Sequence, residues 1–113
     1  MRNYFTDSEL RCKCCGLLIV DQDFLDRLNH AREIAGFPFN VNSGCRCEKH
    51  NRAVGSTSLN HISGKAADIK CHDSCERYHM TEAMIKAGML GIGIGKDFIH
   101  CDTNRTTPCV WTY

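Results

Sequence analysis

Residues 90–102 read LGIGIGKDFIHCD. Ile92 and Ile94 alternate with glycines, and Phe98, His100 and Asp102 alternate with Ile99 and Cys101. Alternation on both sides of Gly95 and Lys96 predicts two short strands joined there. On the second strand Phe98, His100 and Asp102 share one face, and Ile99 and Cys101 the other. Asp97 falls with Ile99 unless the strand begins after it. A GxGxG run can mark a dinucleotide site, but no helix follows and no room remains for a βαβ unit, so that reading is excluded. What the stretch does offer is a histidine bracketed by two aspartates on a strand.

Upstream, SLNHISGKAADIK carries a second histidine, His61, seven positions before Asp68. Gly64 bends the chain, and the small residues flanking Asp68 fit a buried strand packed closely on its neighbours. A loop histidine, a glycine bend and a strand-borne aspartate can aim two side chains at one point. Two His and one Asp suit a catalytic zinc, because three protein ligands leave a fourth position for the water that hydrolysis needs.

The remaining segments supply the frame. From Asp21, the apolar positions Phe24, Leu25, Leu28, Ala31, Ile34 and Ala35 recur at helical spacing and stop at Gly36 and Pro38, which predicts a helix with a core-facing stripe. His30 lies between those positions and reads as a partly exposed helix residue. Phe37 to Ser43 alternates as a strand with one buried face. A second helix is expected over residues 74–87, capped by Asp73 with Glu76 behind it. Its stripe is Tyr78, Met80, Met84, Ile85 and Ala87, with Met80, Met84 and Met89 in the core. His72 and His79 are expected in solvent and Cys71 and Cys75 inert. Thr6 and Glu9 form a capping box that opens a short helix at most. Residues 47–54, CEKHNRAV, read as another short helix, and the terminal CVWTY as one more strand.

At 113 residues the chain is expected to form one domain. A net charge of +1 with dispersed Lys and Arg gives no broad nucleic-acid-binding face. Nine cysteines is an odd count, and MRNYFTDSEL has no apolar run of the signal-peptide kind. Reduced thiols and synthesis in the cytoplasm are therefore expected. No apolar stretch approaches the roughly 18 residues of a membrane-spanning helix. The Cys-rich segment at 12–16, CKCCG, reads either as a metal knuckle or as a tight turn with buried thiols. Cys45, Cys47 and His50 have a spacing that could bind metal but lack a nearby fourth ligand. Arg46, beyond a strand end and a glycine turn, suits either a substrate carboxylate or a surface ion pair.

Taken in order, SGCR, HISGKAADI and GIGIGKDFIHCDT resemble the M15 metallopeptidases, the D-Ala-D-Ala carboxypeptidase family, and above all its small phage and bacterial members. The resemblance extends over nearly the whole chain, from the Phe5 to Cys14 entry to the FIHCD strand. It implies an α+β fold with helices packed on a small central antiparallel sheet, as in the Hedgehog and lysostaphin-type domains. It also implies one catalytic Zn2+ on His61, Asp68 and His100, with Arg46 positioning the substrate and Asp97 as general base. Asp102 is second choice for that base, since several relatives keep an acid only there. The chain departs from the family at Cys45, often aromatic, at Cys101, commonly aliphatic, and at Leu59, where a serine is frequent.

The function so implied is hydrolysis of peptidoglycan stem peptides, as a D-Ala-D-Ala carboxypeptidase or an L-Ala-D-Glu endopeptidase. The enzyme is expected to be a monomer with a peptidoglycan peptide as partner, no nucleic acid and no membrane insertion. It would be made without a signal peptide and act at the cell wall after release, as a phage endolysin or a wall-remodelling enzyme does. A second, structural metal at Cys12, Cys14 and Cys15 is open. The alternative is a cysteine-rich structural zinc module without catalysis, built from those thiols with Cys45, Cys47 or Cys71. A Hedgehog-like domain that keeps zinc and has lost hydrolysis is a third reading.

Overall fold

A computed structural model describes residues 2–13, 15–45 and 63–113. Their elements are α1 (Asp7–Leu10), α2 (Gln22–Ala35), β1 (Val41–Ser43), β2 (Ala66–Lys70), α3 (Ser74–Lys86), β3 (Gly91–Ile94), β4 (Phe98–Asp102) and β5 (Cys109–Thr112). The helix ends follow from local chemistry. Thr6 and Glu9 complete a reciprocal capping box on α1, and the Asp21 carboxylate accepts from the Phe24 N–H at the start of α2. Gly36 closes α2 in the left-handed conformation at φ 78°, which glycine adopts without a Cβ penalty. Asp73 caps α3 through the Glu76 N–H.

The five strands form one sheet in the order β1-β2-β4-β3-β5. The first four pair antiparallel, as expected. The sheet is nevertheless mixed, because β5 pairs parallel to β3. After β4 the chain crosses past β3 and returns along its far edge, so β5 runs opposite to β4 without pairing with it. The strand expected over 37–43 is shorter, with pairing confined to Val41–Ser43 and a register shift inside it. Phe37 and Phe39 still pack edge to face, with Phe39 buried.

Both long helices cover one face of the sheet. Phe24, Leu28, Ala31, Met80, Ala83 and Met84 form a single core cluster with Ala67, Ile69, Ile92, Ile99 and Cys101. Met80, Met84 and Met89 are core, as expected. Ile34, Tyr78 and Ile85 are not, although the helical stripes include them: all three are exposed. His30, His72 and His79 lie in solvent.

Because strand side chains alternate, burying Ala67, Ile69, Ile99 and Cys101 under the helices sends Asp68, Phe98, His100 and Asp102 to the opposite face. The β3–β4 turn places Lys96 and Asp97 outside the ladder, with the Gly95 N–H donating to the Phe98 carbonyl at 2.9 Å. β4 therefore starts after Asp97, and strand alternation does not govern where Asp97 points.

Candidate metal centre

Strand register assembles the centre. Asp68 on β2 lies directly across from His100 on β4, and His100 is across from Gly93 on β3, which is across from Trp111 on β5. One row thus runs aspartate, histidine, glycine, tryptophan. On the neighbouring row Asp102 pairs with Ala66 on one side and Gly91 on the other. The approach to Asp68 is held by Gly64, whose φ of 73° makes the bend read from the sequence and whose carbonyl accepts from the Asp21 N–H at 3.0 Å.

The His100 ring lies between two carboxylates. Its Nε2 is 2.7 Å from Asp102 Oδ2, and its Nδ1 is 3.0 Å from Asp68 Oδ1. Asp102 is fully buried and is also gripped by Arg105, whose Nε donates to Oδ1 at 2.9 Å and whose Nη2 donates to Oδ2 at 2.8 Å. Burial opposes ionisation of Asp102, but the hydrogen bonds from His100 and Arg105 outweigh it and hold the carboxyl below its ordinary range. An ionised carboxylate only accepts, so Nε2 is the donor and carries a proton.

That assignment leaves Nδ1 aimed at a second carboxylate. Burial on its own would lower the His100 pKa, yet the bonds to Asp102 and Asp68 and their charges raise it on balance. Both aspartates thus favour the protonated ring. A metal held there would take the place of the Nδ1 proton, because histidine ligates as the neutral ring. Two donors on one tetrahedral zinc lie about 3.3 Å apart at bond lengths of about 2.0–2.1 Å, close to the Nδ1 to Oδ1 separation found here. A carboxylate holding the far nitrogen of a ligand histidine is the usual outer arrangement. In donor chemistry and spacing, Asp68 and His100 fit a zinc ion.

The other sequence candidates distribute differently. His61 and Arg46 lie outside the described residues, as do Cys14, Cys47 and His50. Among the described residues no three His, Cys, Asp or Glu side chains converge as a complete metal cage. Asp97 is exposed in the β3–β4 turn, its carbonyl accepting from the Cys71 N–H at 2.9 Å. Of the thiols read as a second site, Cys12 is buried and Cys15 exposed, and Cys45, which the alternative zinc module would use, is buried. A groove bounded by Tyr78, Ile85, Ile94 and Val110 lies at the helix side of the β3 and β5 edge, on the face away from His100.

Two residues escaped the sequence reading. The Arg105 guanidinium lies 4.6 Å above the Trp111 ring, and that ring is 5.5 Å from the His100 ring. Both depend on glycine. A Cβ on Gly93 would stand 2.7 Å from Trp111 Nε1, and one on Gly91 would stand 2.5 Å from both Asp102 carboxylate oxygens. The readable signal was the GIGIG alternation itself, in which side chains are missing from the face that carries the histidine.

Among protein families, the model described as Peptidase M15 matches residues 3–102. No curated protein sequence matches the chain.

Proposed function

From the premise that the chain belongs to the Peptidase M15 family, we propose that it is a zinc-dependent peptidase that hydrolyses peptidoglycan stem peptides. The observation that carries this is the His100 ring, held at Nε2 by Asp102 with Nδ1 turned to Asp68. Asp68 and His100, with His61, would hold the ion. Bound there, zinc supplies a Lewis acid that polarises the scissile carbonyl and brings a water pKa toward about 7.

The two remaining aspartates divide by environment. Asp102 is buried with both carboxylate oxygens already accepting hydrogen bonds, so it orients the ring. Asp97 is exposed three residues before His100, which favours it as the base that takes a proton from the attacking water and returns it to the leaving amine. Arg46, as the arginine of SGCR, would anchor a substrate carboxylate. The setting we infer is cell-wall lysis or remodelling, in line with the resemblance to small phage and bacterial members.

The test is digestion of purified sacculi and synthetic stem peptides by zinc-loaded protein, with products weighed by mass spectrometry. Loss of a terminal D-Ala identifies a carboxypeptidase, and separation of L-Ala from D-Glu an endopeptidase. Chelation and Asp97→Ala should each abolish either product. Substrates left whole by the zinc-loaded protein would sink the proposal.

A further inference from the structure

Arg105, Trp111 and β5 lie beyond the stretch matched to the family, which ends at residue 102. They nevertheless close over the centre. Asp102 could hold the His100 ring in many ways if its carboxylate were free to turn. It is not free, because two parallel N–H bonds from Arg105 fix its plane, and the same Oδ2 that accepts from Nη2 at 2.8 Å accepts from His100 Nε2 at 2.7 Å. The guanidinium is held in turn by the Trp111 face at 4.6 Å, and Trp111 reaches that position only because residue 93 has no side chain. The chain of contacts runs from Trp111 to Arg105 to Asp102 to His100.

We propose that Arg105 is a positioning residue of the metal centre: seated on Trp111, it locks Asp102 so that His100 presents Nδ1 toward Asp68. It rests on the zinc reading above. Two of the five guanidinium N–H groups of Arg105 are committed to Asp102, so the role assigned to it acts through that carboxylate. Lysine cannot replace it fully, because an ammonium cannot form the two parallel bonds.

The experiment uses the full chain and zinc alone. Zinc affinity is measured by competition with a chromophoric chelator for wild type, Arg105→Gln, Arg105→Lys and Trp111→Leu, with His100→Ala setting the background from thiol-bound metal. Cobalt(II) absorption of the same proteins reports ligand geometry. Losing an outer partner of a ligand histidine typically costs 10–100-fold in metal affinity. Arg105 acts one contact further out, through Asp102, so for Arg105→Gln we expect a loss of about tenfold, the lower end of that range, with an altered cobalt spectrum, a smaller loss for Trp111→Leu, and partial recovery in Arg105→Lys. Should Arg105→Gln fail to fold, the Trp111→Leu and Arg105→Lys series decides alone.

If affinity and cobalt spectrum match wild type while only the melting temperature falls, Arg105 is a structural staple and the proposal is overturned. Should wild type bind no more zinc than His100→Ala, the zinc reading fails first and takes this one with it. The two failures are thus separable.

Discussion

A single imidazole decides most of the chemistry. His100 faces Asp102 through one nitrogen and Asp68 through the other, and its pH behaviour follows from that. Its folded pKa is raised above the ordinary value of 6.5. The protonated ring therefore stabilises the metal-free fold fully below about 6.5, and that contribution disappears as pH rises through the raised value. Asp102 has the opposite sign. Its lowered pKa gives stability that is present above the ordinary 3.8 and is lost as pH falls through the folded value. In chelator, the melting temperature of wild type minus that of His100→Gln should be largest between about pH 4 and 6.5 and shrink at higher pH. A difference that grew with pH would contradict a raised His100 pKa. Zinc affinity should climb over the range in which the stabilisation fades, because the metal displaces the Nδ1 proton.

The His100 and Asp68 pairing was legible at the level of residue type, since Phe–Ile–His–Cys–Asp and Ala–Ala–Asp–Ile both alternate as strands. Whether Asp97 follows the strand alternation was not. That depends on β4 starting at Phe98, and boundaries of that kind are set by the turn. Arg105 carried no local signal at all, because its role comes from a crossing of the chain after β4.

At the scale of elements, the β3–β4 hairpin and both long helices could be read from periodicity and caps. The position of β5 could not. A four-residue strand with a short connection reads equally well as a neighbour of β4, and only the glycine face of β3 hints that something bulky lies beyond it. Trp111 is the sole tryptophan, so its fluorescence reports that packing directly. Gly93→Ala places a methyl 2.7 Å from Trp111 Nε1, and overpacking of this sort typically costs about 1–3 kcal/mol. We expect a shifted emission maximum and a loss of that size in urea unfolding. Unchanged emission would mean that β5 does not lie against β3 as described.

The helix stripes show the limit of the same reading. The apolar stripe of α2 takes in Leu28 and Ile34, but at 3.6 residues per turn they lie about 120° apart around the axis, and the core covers only part of that width. Leu28 is completely buried whereas Ile34 is 36 % exposed. Leu28→Ala should cost about 2–5 kcal/mol by leaving a cavity in the core, and Ile34→Ala no more than about 0.5 kcal/mol. Equal losses in chemical denaturation would argue for a different helix rotation.

For the molecule as a whole, the helices and sheet make one core that also takes in cysteines. Cys71 and Cys101 are buried, and burial pushes both thiols up, so neither forms a thiolate readily. Cys75 and Cys109 are exposed. Brief alkylation of the native protein should modify Cys75 and Cys109 and spare Cys71 and Cys101 until the chain is unfolded, as peptide mapping would show. Rapid native modification of Cys101 would be incompatible with its place under the helices. Cysteine abundance in the sequence could not distinguish thiols that fill a core from thiols that bind metal. The fold puts these two in the core cluster, while Asp68 and His100 occupy the opposite face of the sheet.

The most direct measurement is zinc per chain in wild type, in an Asp68→Ala/His100→Ala variant and in a variant with Cys12, Cys15 and Cys45 replaced by Ser. A catalytic centre on the β2 and β4 face predicts that the Asp68→Ala/His100→Ala variant loses one zinc, and peptide hydrolysis with it, while the serine variant keeps that zinc. If zinc instead survives loss of Asp68 and His100 and vanishes with the thiols, the metal belongs to a cysteine site and the centre described on the sheet is not one.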